Sequence, residues 1–353
     1  MTELALDLRR RLEDFGLSGY AIRAAWPDWW SDFLDGSSSA RVALRLSLAR
    51  NLGIEAASLL DEASQPTFIW RDQAHLKNVT IEELRELEAI VSFGKALSSI
   101  LICASPPAQK RTLPSAARLR QVILRKQPYV SVFDLASICR FISIPVVYLR
   151  IFPWPQMRMA AMTVRTELGG AMMLGKETDF PAPLAFCIAH QLAHIALGHV
   201  QAREAIVDFD TNELNPVDDA EERAANEYAL ELLTGQTSPI VLPGAQWHTA
   251  ERLAEEAIRA STELRVEPGI LALCSGYATG DRQGADSAMG SIYADPKPAW
   301  MEINRLARIN LRMDAVTADS RSYLEYVLGS RRMEWQPPVK ALRLGWQIVG
   351  MSA

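Results

Sequence analysis

The sequence predicts an α+β chain that is predominantly helical. It has an N-terminal helical bundle, a central core mixing strands with helices, and a mainly helical C-terminal region. Three observations lead there. Apolar residues recur at helical spacing through most of the 353 residues. Strand-like runs cluster in one short stretch, residues 144–175. Hydrophobic residues make up 49% and charged residues 22%, which supplies a sizeable core and excludes a disordered chain.

Residues 1–76 read as short helices joined by polar turns such as DGSSSA. Leu4, Leu6, Leu8, Leu12 and Leu17 mark one apolar stripe; Val42, Leu44, Leu46, Leu48, Leu52 and Ile54 mark another. The segment LARNLGIEAASLL resembles the last helix and turn of a phage-repressor helix-turn-helix domain. A DNA reader carries basic residues, because phosphate contacts dominate its affinity. Here eight Arg and no Lys stand against eleven Asp plus Glu, 8 − 11 = −3. That balance points to a bundle packing on the rest of the chain or on a partner, and Trp26, Trp29 and Trp30 are candidate anchors for such a surface. A helix over 77–104 follows, opened by the cap-like Thr80-Ile81-Glu82-Glu83, so the N-terminal domain runs over 1–104.

Three prolines make 105–127 a linker and basic helix. Lys95, Lys110, Arg111, Arg118, Arg120, Arg125 and Lys126 precede any acid before Asp134. The stretch reads either as a solvated helix face or as a contact for nucleic acid or an acidic partner. The whole chain carries −5, so nucleic acid held over its entire surface is excluded. The predicted central core, 128–235, opens with the helix VFDLASICRFIS. Strands follow at IPVVYLRIF, AMTVRTE and GGAMMLG, then the helices PAPLAFCIAHQLAHIALGHV and DDAEERAANEYALELLTG, with Gly235 as a C-cap. Residues 236–353 form the C-terminal region, a candidate sensory domain. It has helices at TAERLAEEAIRASTEL, AWMEINRLARINL and SRSYLEYVL, and a Gly-rich loop at YATGDRQGADSAMG. No apolar run of bilayer length is evident, the charged start is not a secretory signal, and the four dispersed cysteines fit reduced thiols; a cytoplasmic protein is expected.

The chemistry concentrates at residues 187–222. His190 and His194 lie four apart on one helix, one turn apart on the same face, the spacing at which two imidazoles bind one Zn2+ ion. The residue that serves as general base in His-Glu-x-x-His is here Gln191. A third ligand is expected from the next helix, where Glu222 precedes Ala225 by one turn; Glu221 is the alternative. His199 falls off the shared face and reads as a helix-end residue. Cys187, almost one turn before His190, reads as a buried thiol or as a thiolate able to block the metal. His248 reads as a surface residue or an oxyanion stabiliser.

The blocks LAFCIAHQLAHIALGHV and EERAANEYALELL together resemble the ImmA/IrrE metallopeptidases, over about residues 128–235. The resemblance implies a zincin-like zinc-peptidase core behind a helix-turn-helix-like domain, with a transcriptional repressor as the protein substrate in a stress, mobile-element or defence response. By the same resemblance His190, His194 and Glu222 are the metal ligands, and Gln191 occupies the catalytic position. Thr234-Gly235 replaces the Met-Pro often found in that family. An amide cannot take a proton as a carboxylate does, so the chain is expected to bind zinc and cleave very poorly. An introduced Glu-to-Gln change and a natural pseudopeptidase that binds a partner or senses nucleic acid both fit; the intact ligand set favours the first.

Overall fold

The computed structural model describes residues 3–70, 81–107, 112–154, 159–200, 205–209, 219–243, 249–294 and 297–331. The chain is α+β, mostly helical, with one small mixed sheet among those residues.

The sheet has four strands: β1 (Val146–Tyr148), β2 (Met159–Thr166), β3 (Gly169–Leu174) and β4 (Ala205–Phe209), in the order β1-β3-β2-β4. β1 runs parallel to β3, whereas β2 is antiparallel to both β3 and β4. The first three match the expected strands; β4 was not expected. Side chains alternate across the sheet, and both faces are buried. Val147, Met162, Val164, Ala171 and Met173 enter one core; Val146, Tyr148, Ala161, Met172 and Leu174 enter the other.

The first face carries the N-terminal elements: α1 (Glu3–Asp14), α2 (Gly19–Ala25), α3 (Ser38–Leu52), α4 (Ala56–Leu60) and the long α5 (Ile81–Ala104). Leu8, Leu12, Leu17, Leu44, Leu48, Leu52 and Ile54 are buried as expected. Leu6, Val42 and Leu46 are exposed, contrary to the expected stripes, because two residues along a helix is a 200° turn, onto its opposite side. The side chain of Leu4, and Thr80, lie outside the described residues. The stretch Leu84–Ala104 corrects another expectation. It is long and apolar enough to cross a bilayer, yet 67% of its most apolar window is buried, with Ile90, Phe93, Leu97 and Leu101 in the core.

The second face carries α6 (Ala116–Ile123), α7 (Val132–Phe141), α8 (Pro181–Ala196), α9 (Ala220–Thr234), α10 (Ala250–Leu264), α11 (Pro268–Thr279), α12 (Arg282–Ile292) and α13 (Ala299–Asn310). The helix α14 (Ala318–Val327) returns to the first core, where the buried Tyr323 donates its hydroxyl to the Asn51 carbonyl. The expected Gly-rich loop is instead the end of α11, the Gly280-Asp281 junction and most of α12. Asp281 caps α12, and a Cβ on Gly276, just before that stretch, would lie 2.4 Å from the Ala285 Cβ, so that glycine allows α11 and α12 to pack closely.

Candidate metal centre

α8 lies in the second core with one face against β2 and β3. Pro181 starts it without needing a helical hydrogen bond, and Ala-rich turns give the neighbouring α9 close access. α9 begins at an Asp219 cap, whose Oδ1 accepts from Glu221 N–H at 2.8 Å. It ends at Gly235, in the left-handed conformation with φ 87°. Gly235 is thus the expected C-cap, and Thr234 donates to the Leu230 carbonyl in an ordinary helix end. Ala225, one turn after Glu222, is fully buried between the helices.

This pairing brings His190, His194 and Glu222 together. The two Nε2 atoms are 3.0 Å apart. Glu222 Oε2 lies 3.2 Å from His190 Nε2, and Oε1 lies 3.4 Å from His194 Nε2. A fourth group joins them: Asp208 on β4, with Oδ2 3.6 Å from His190 Nε2. One ligand atom from each of the four residues lies within 4.8 Å of every other. Zinc bonds of about 2.0 Å in tetrahedral array put ligand atoms about 3.3 Å apart. The distances of 3.0–3.6 Å bracket that edge length, so the four residues could hold a metal ion. The donor chemistry agrees: two carboxylates and two imidazoles offer two formal negative charges to a divalent cation.

The supporting contacts orient the rings. Asn226 Oδ1 lies 2.9 Å from His190 Nδ1, which places the neutral ring's proton on Nδ1 and the Nε2 lone pair toward the group. Phe186 stacks on His190, with centroids 6.2 Å apart. His199 Nδ1 lies 3.0 Å from His194 Nδ1, so this helix-end residue supports a candidate ligand without joining the group.

Electrostatics follow the same arrangement. Burial opposes charge on His190, but the hydrogen bond to Glu222 and the nearby carboxylates outweigh it and raise its pKa. The His190 and His194 hydrogen bonds hold Glu222 well below the usual carboxylate range. Burial raises the pKa of Asp208, against the pull of His190 and the Gln191 hydrogen bond. Positive charge on His190 is thus favoured beside Glu222, whereas Asp208 is shifted toward its neutral form.

Gln191 is fully buried, and its Nε2 donates to Asp208 Oδ2 at 2.6 Å. Glu221 is exposed and outside the group. Cys187 is buried in the core and is not one of the four grouped residues. His248, Lys110 and Arg111 lie outside the described residues. In the basic stretch, Arg120 is buried and donates to the Leu233 and Arg265 carbonyls at the ends of α9 and α10, while Arg118, Arg125 and Lys126 are exposed. Trp29 is exposed; Trp26 and Trp30 pack partly against the first core.

Asp208, Asn226 and the His199 contact were missed from sequence. The run AIVDF, β-branched residues followed by an acid between the two helices, was the available signal for Asp208. Comparison with known proteins finds no matching family model, no matching curated protein and no matching solved structure.

Proposed function

We propose that the chain is a zinc-binding protein of the ImmA/IrrE metallopeptidase type, with a zincin-like helix pair, directed at a protein partner and altered at its base position. The observation that carries this reading is the convergence of His190, His194, Glu222 and Asp208 at ligand spacing. Two imidazoles favour zinc over magnesium or calcium, which prefer all-oxygen sites. Bound there, zinc would supply Lewis-acid chemistry toward a peptide carbonyl. His190, His194 and Glu222 would hold it. Gln191 stands where a general base belongs, and its amide spends its proton on Asp208. Without that base, hydrolysis falls by about 10²–10⁴-fold.

A protein partner also fits the sheet. Among the described residues β4 pairs with β2, and strand addition by an extended peptide beside Asp208 is the docking mode we propose. A repressor as that partner rests on the family resemblance alone. A second reading, a non-catalytic regulator that grips its partner, draws on the bond between the fully buried Gln191 and the half-buried Asp208. The exposed Arg118, Arg125 and Lys126 leave a nucleic-acid effector as a lesser proposal, tested by salt-dependent binding to single-stranded DNA.

Elemental analysis of the purified chain tests the metal. The expected result is stoichiometric zinc, lost in His194→Ala. No zinc in the wild type after incubation with the ion overturns the reading. Gln191→Glu then separates the two forms: a dormant peptidase gains cleavage of candidate repressors, and a pure regulator gains none.

A further inference from the structure

The site contains one more donor than its helical motif supplies. Catalytic zinc keeps one position open, whereas four protein ligands make a closed site. We propose that Asp208 is a fourth protein ligand and that Gln191 is the positioning residue that holds it, so that the metal site is closed at rest. This inference rests on the metal-binding reading above.

The sheet sets the placement. Asp208 lies opposite Ala161 on β2, and Ala161 faces the core that contains α8. Its neighbours Ala205 and Val207 pack on the other core, as strand alternation requires. Asp208 Oδ2 is thereby 3.6 Å from His190 Nε2, near the edge length of about 3.3 Å for a tetrahedral site.

Gln191 contributes the second, independent observation. Its Nε2 donates to that same Oδ2 at 2.6 Å, while its Oε1 is buried with no hydrogen-bond partner among the described residues. Reversing the amide would aim Oε1 at the carboxylate, so the orientation is dictated by Asp208. A buried amide oxygen without a partner is costly. The side chain bears that cost and keeps the bond to Asp208. A glutamate at 191 would instead set two carboxylates against each other, where they repel. Gln191 and Asp208 are thus a matched pair, and the amide at the base position has a use of its own. Access to the metal then requires Asp208 to leave.

The test uses the full chain loaded with Co2+ in place of zinc, with azide as the probe of an open position and zinc affinity measured by chelator competition. In the wild type the cobalt absorption spectrum should not respond to azide. In Asp208→Ala it should respond, and zinc affinity should fall by roughly tenfold or more. Asp208→Asn, which keeps the shape, should show the same response more weakly and covers the case in which the alanine variant does not fold. Gln191→Glu should make the spectrum azide-sensitive with all four candidate ligands present, which a merely structural glutamine would not do. If the wild type already responds to azide and the Asp208 variants bind zinc as tightly as it does, the closed site is overturned while the metal reading stands. If the wild type takes up neither metal, both fall.

Discussion

The helices α5 and α8 press on opposite faces of the same sheet, both against β2 and β3, and both are largely buried, yet they meet the sheet with different chemistry. α5 presents Ile90, Phe93, Leu97 and Leu101. Its buried Ser92 is satisfied locally, donating to the Trp70 carbonyl and accepting from Trp70 N–H. α8 buries His190, Gln191 and His194 at the corresponding depth, and their partners are side chains on β4, on α9 and just past its own end. Buried polar groups are costly unless paired, and a network that leaves Gln191 Oε1 without a partner is not the cheapest filling for a core. α5 is thus mostly apolar core with one unpaired buried hydroxyl at Ser98, whereas the middle of α8 gathers polar groups that could hold a metal ion.

The largest expected effect breaks the stability side. Phe93→Ala should cost about 3–5 kcal/mol in urea unfolding, the usual cost of emptying a buried aromatic site. Zinc affinity of the folded fraction should stay unchanged. The next effect breaks the other side. With zinc at a hundredfold excess over its Kd, the wild type should gain about 2.7 kcal/mol over the chelated protein, and His194→Ala should gain nothing. Melting with and without zinc reads both. If α8 were ordinary core, zinc would shift neither melt.

Two carboxylates sharpen the contrast through pH. Glu222 sits among imidazoles and is pulled down; Glu267, the cap of α11, is buried among neutral donors and pushed up. Ile270 N–H donates to Glu267 at 2.9 Å and the Tyr293 hydroxyl donates to its other oxygen, but these bonds do not offset burial. Folded protein thus holds the Glu267 proton more tightly than unfolded protein does. Its contribution is fully present below the ordinary Glu pKa of about 4.3 and is lost as pH rises through the raised value. Glu222 has the opposite sign: its contribution is present above that pKa and is lost as pH falls. In chelated protein, the wild-type urea midpoint relative to Glu267→Gln should fall from pH 4 to pH 7. Relative to Glu222→Gln it should rise. Parallel curves would show that neither group exchanges protons on folding.

These contrasts also explain what the sequence could convey. The i, i+4 histidines, the Glu-x-x-Ala helix and the Gly235 cap are local patterns, so His190, His194 and Glu222 could be named before the fold was known. The structure brings those three together. Asp208 could not be placed from the motif, because its role depends on the register of β4 against β2, a pairing across more than forty residues. The same limit applies to Asn226, which reaches His190 only once α9 lies beside α8. Leu6, Val42 and Leu46 are exposed for a simpler reason: each lies two residues from a buried leucine, which puts it on the opposite side of its helix.

The smallest expected effect concerns α12, where the glycines of the sequence suggest a loop and the chain forms a helix. Asp281 Oδ1 accepts from Gly284 N–H at 2.8 Å, and Ala285, Ala288 and Met289 bury the inner face of the helix. Glycine lowers intrinsic helicity by about 1 kcal/mol relative to alanine, so Gly284 and Gly290 make this helix depend on its cap and its packing. Asp281→Ala should therefore cost about 1 kcal/mol in urea unfolding, a typical cap loss, while leaving zinc affinity unchanged. Gly290→Ala, with nothing within 4 Å of its added Cβ, should recover a comparable amount. A loop at these positions would respond to neither change, because it would have no helix to cap and no helical propensity to restore.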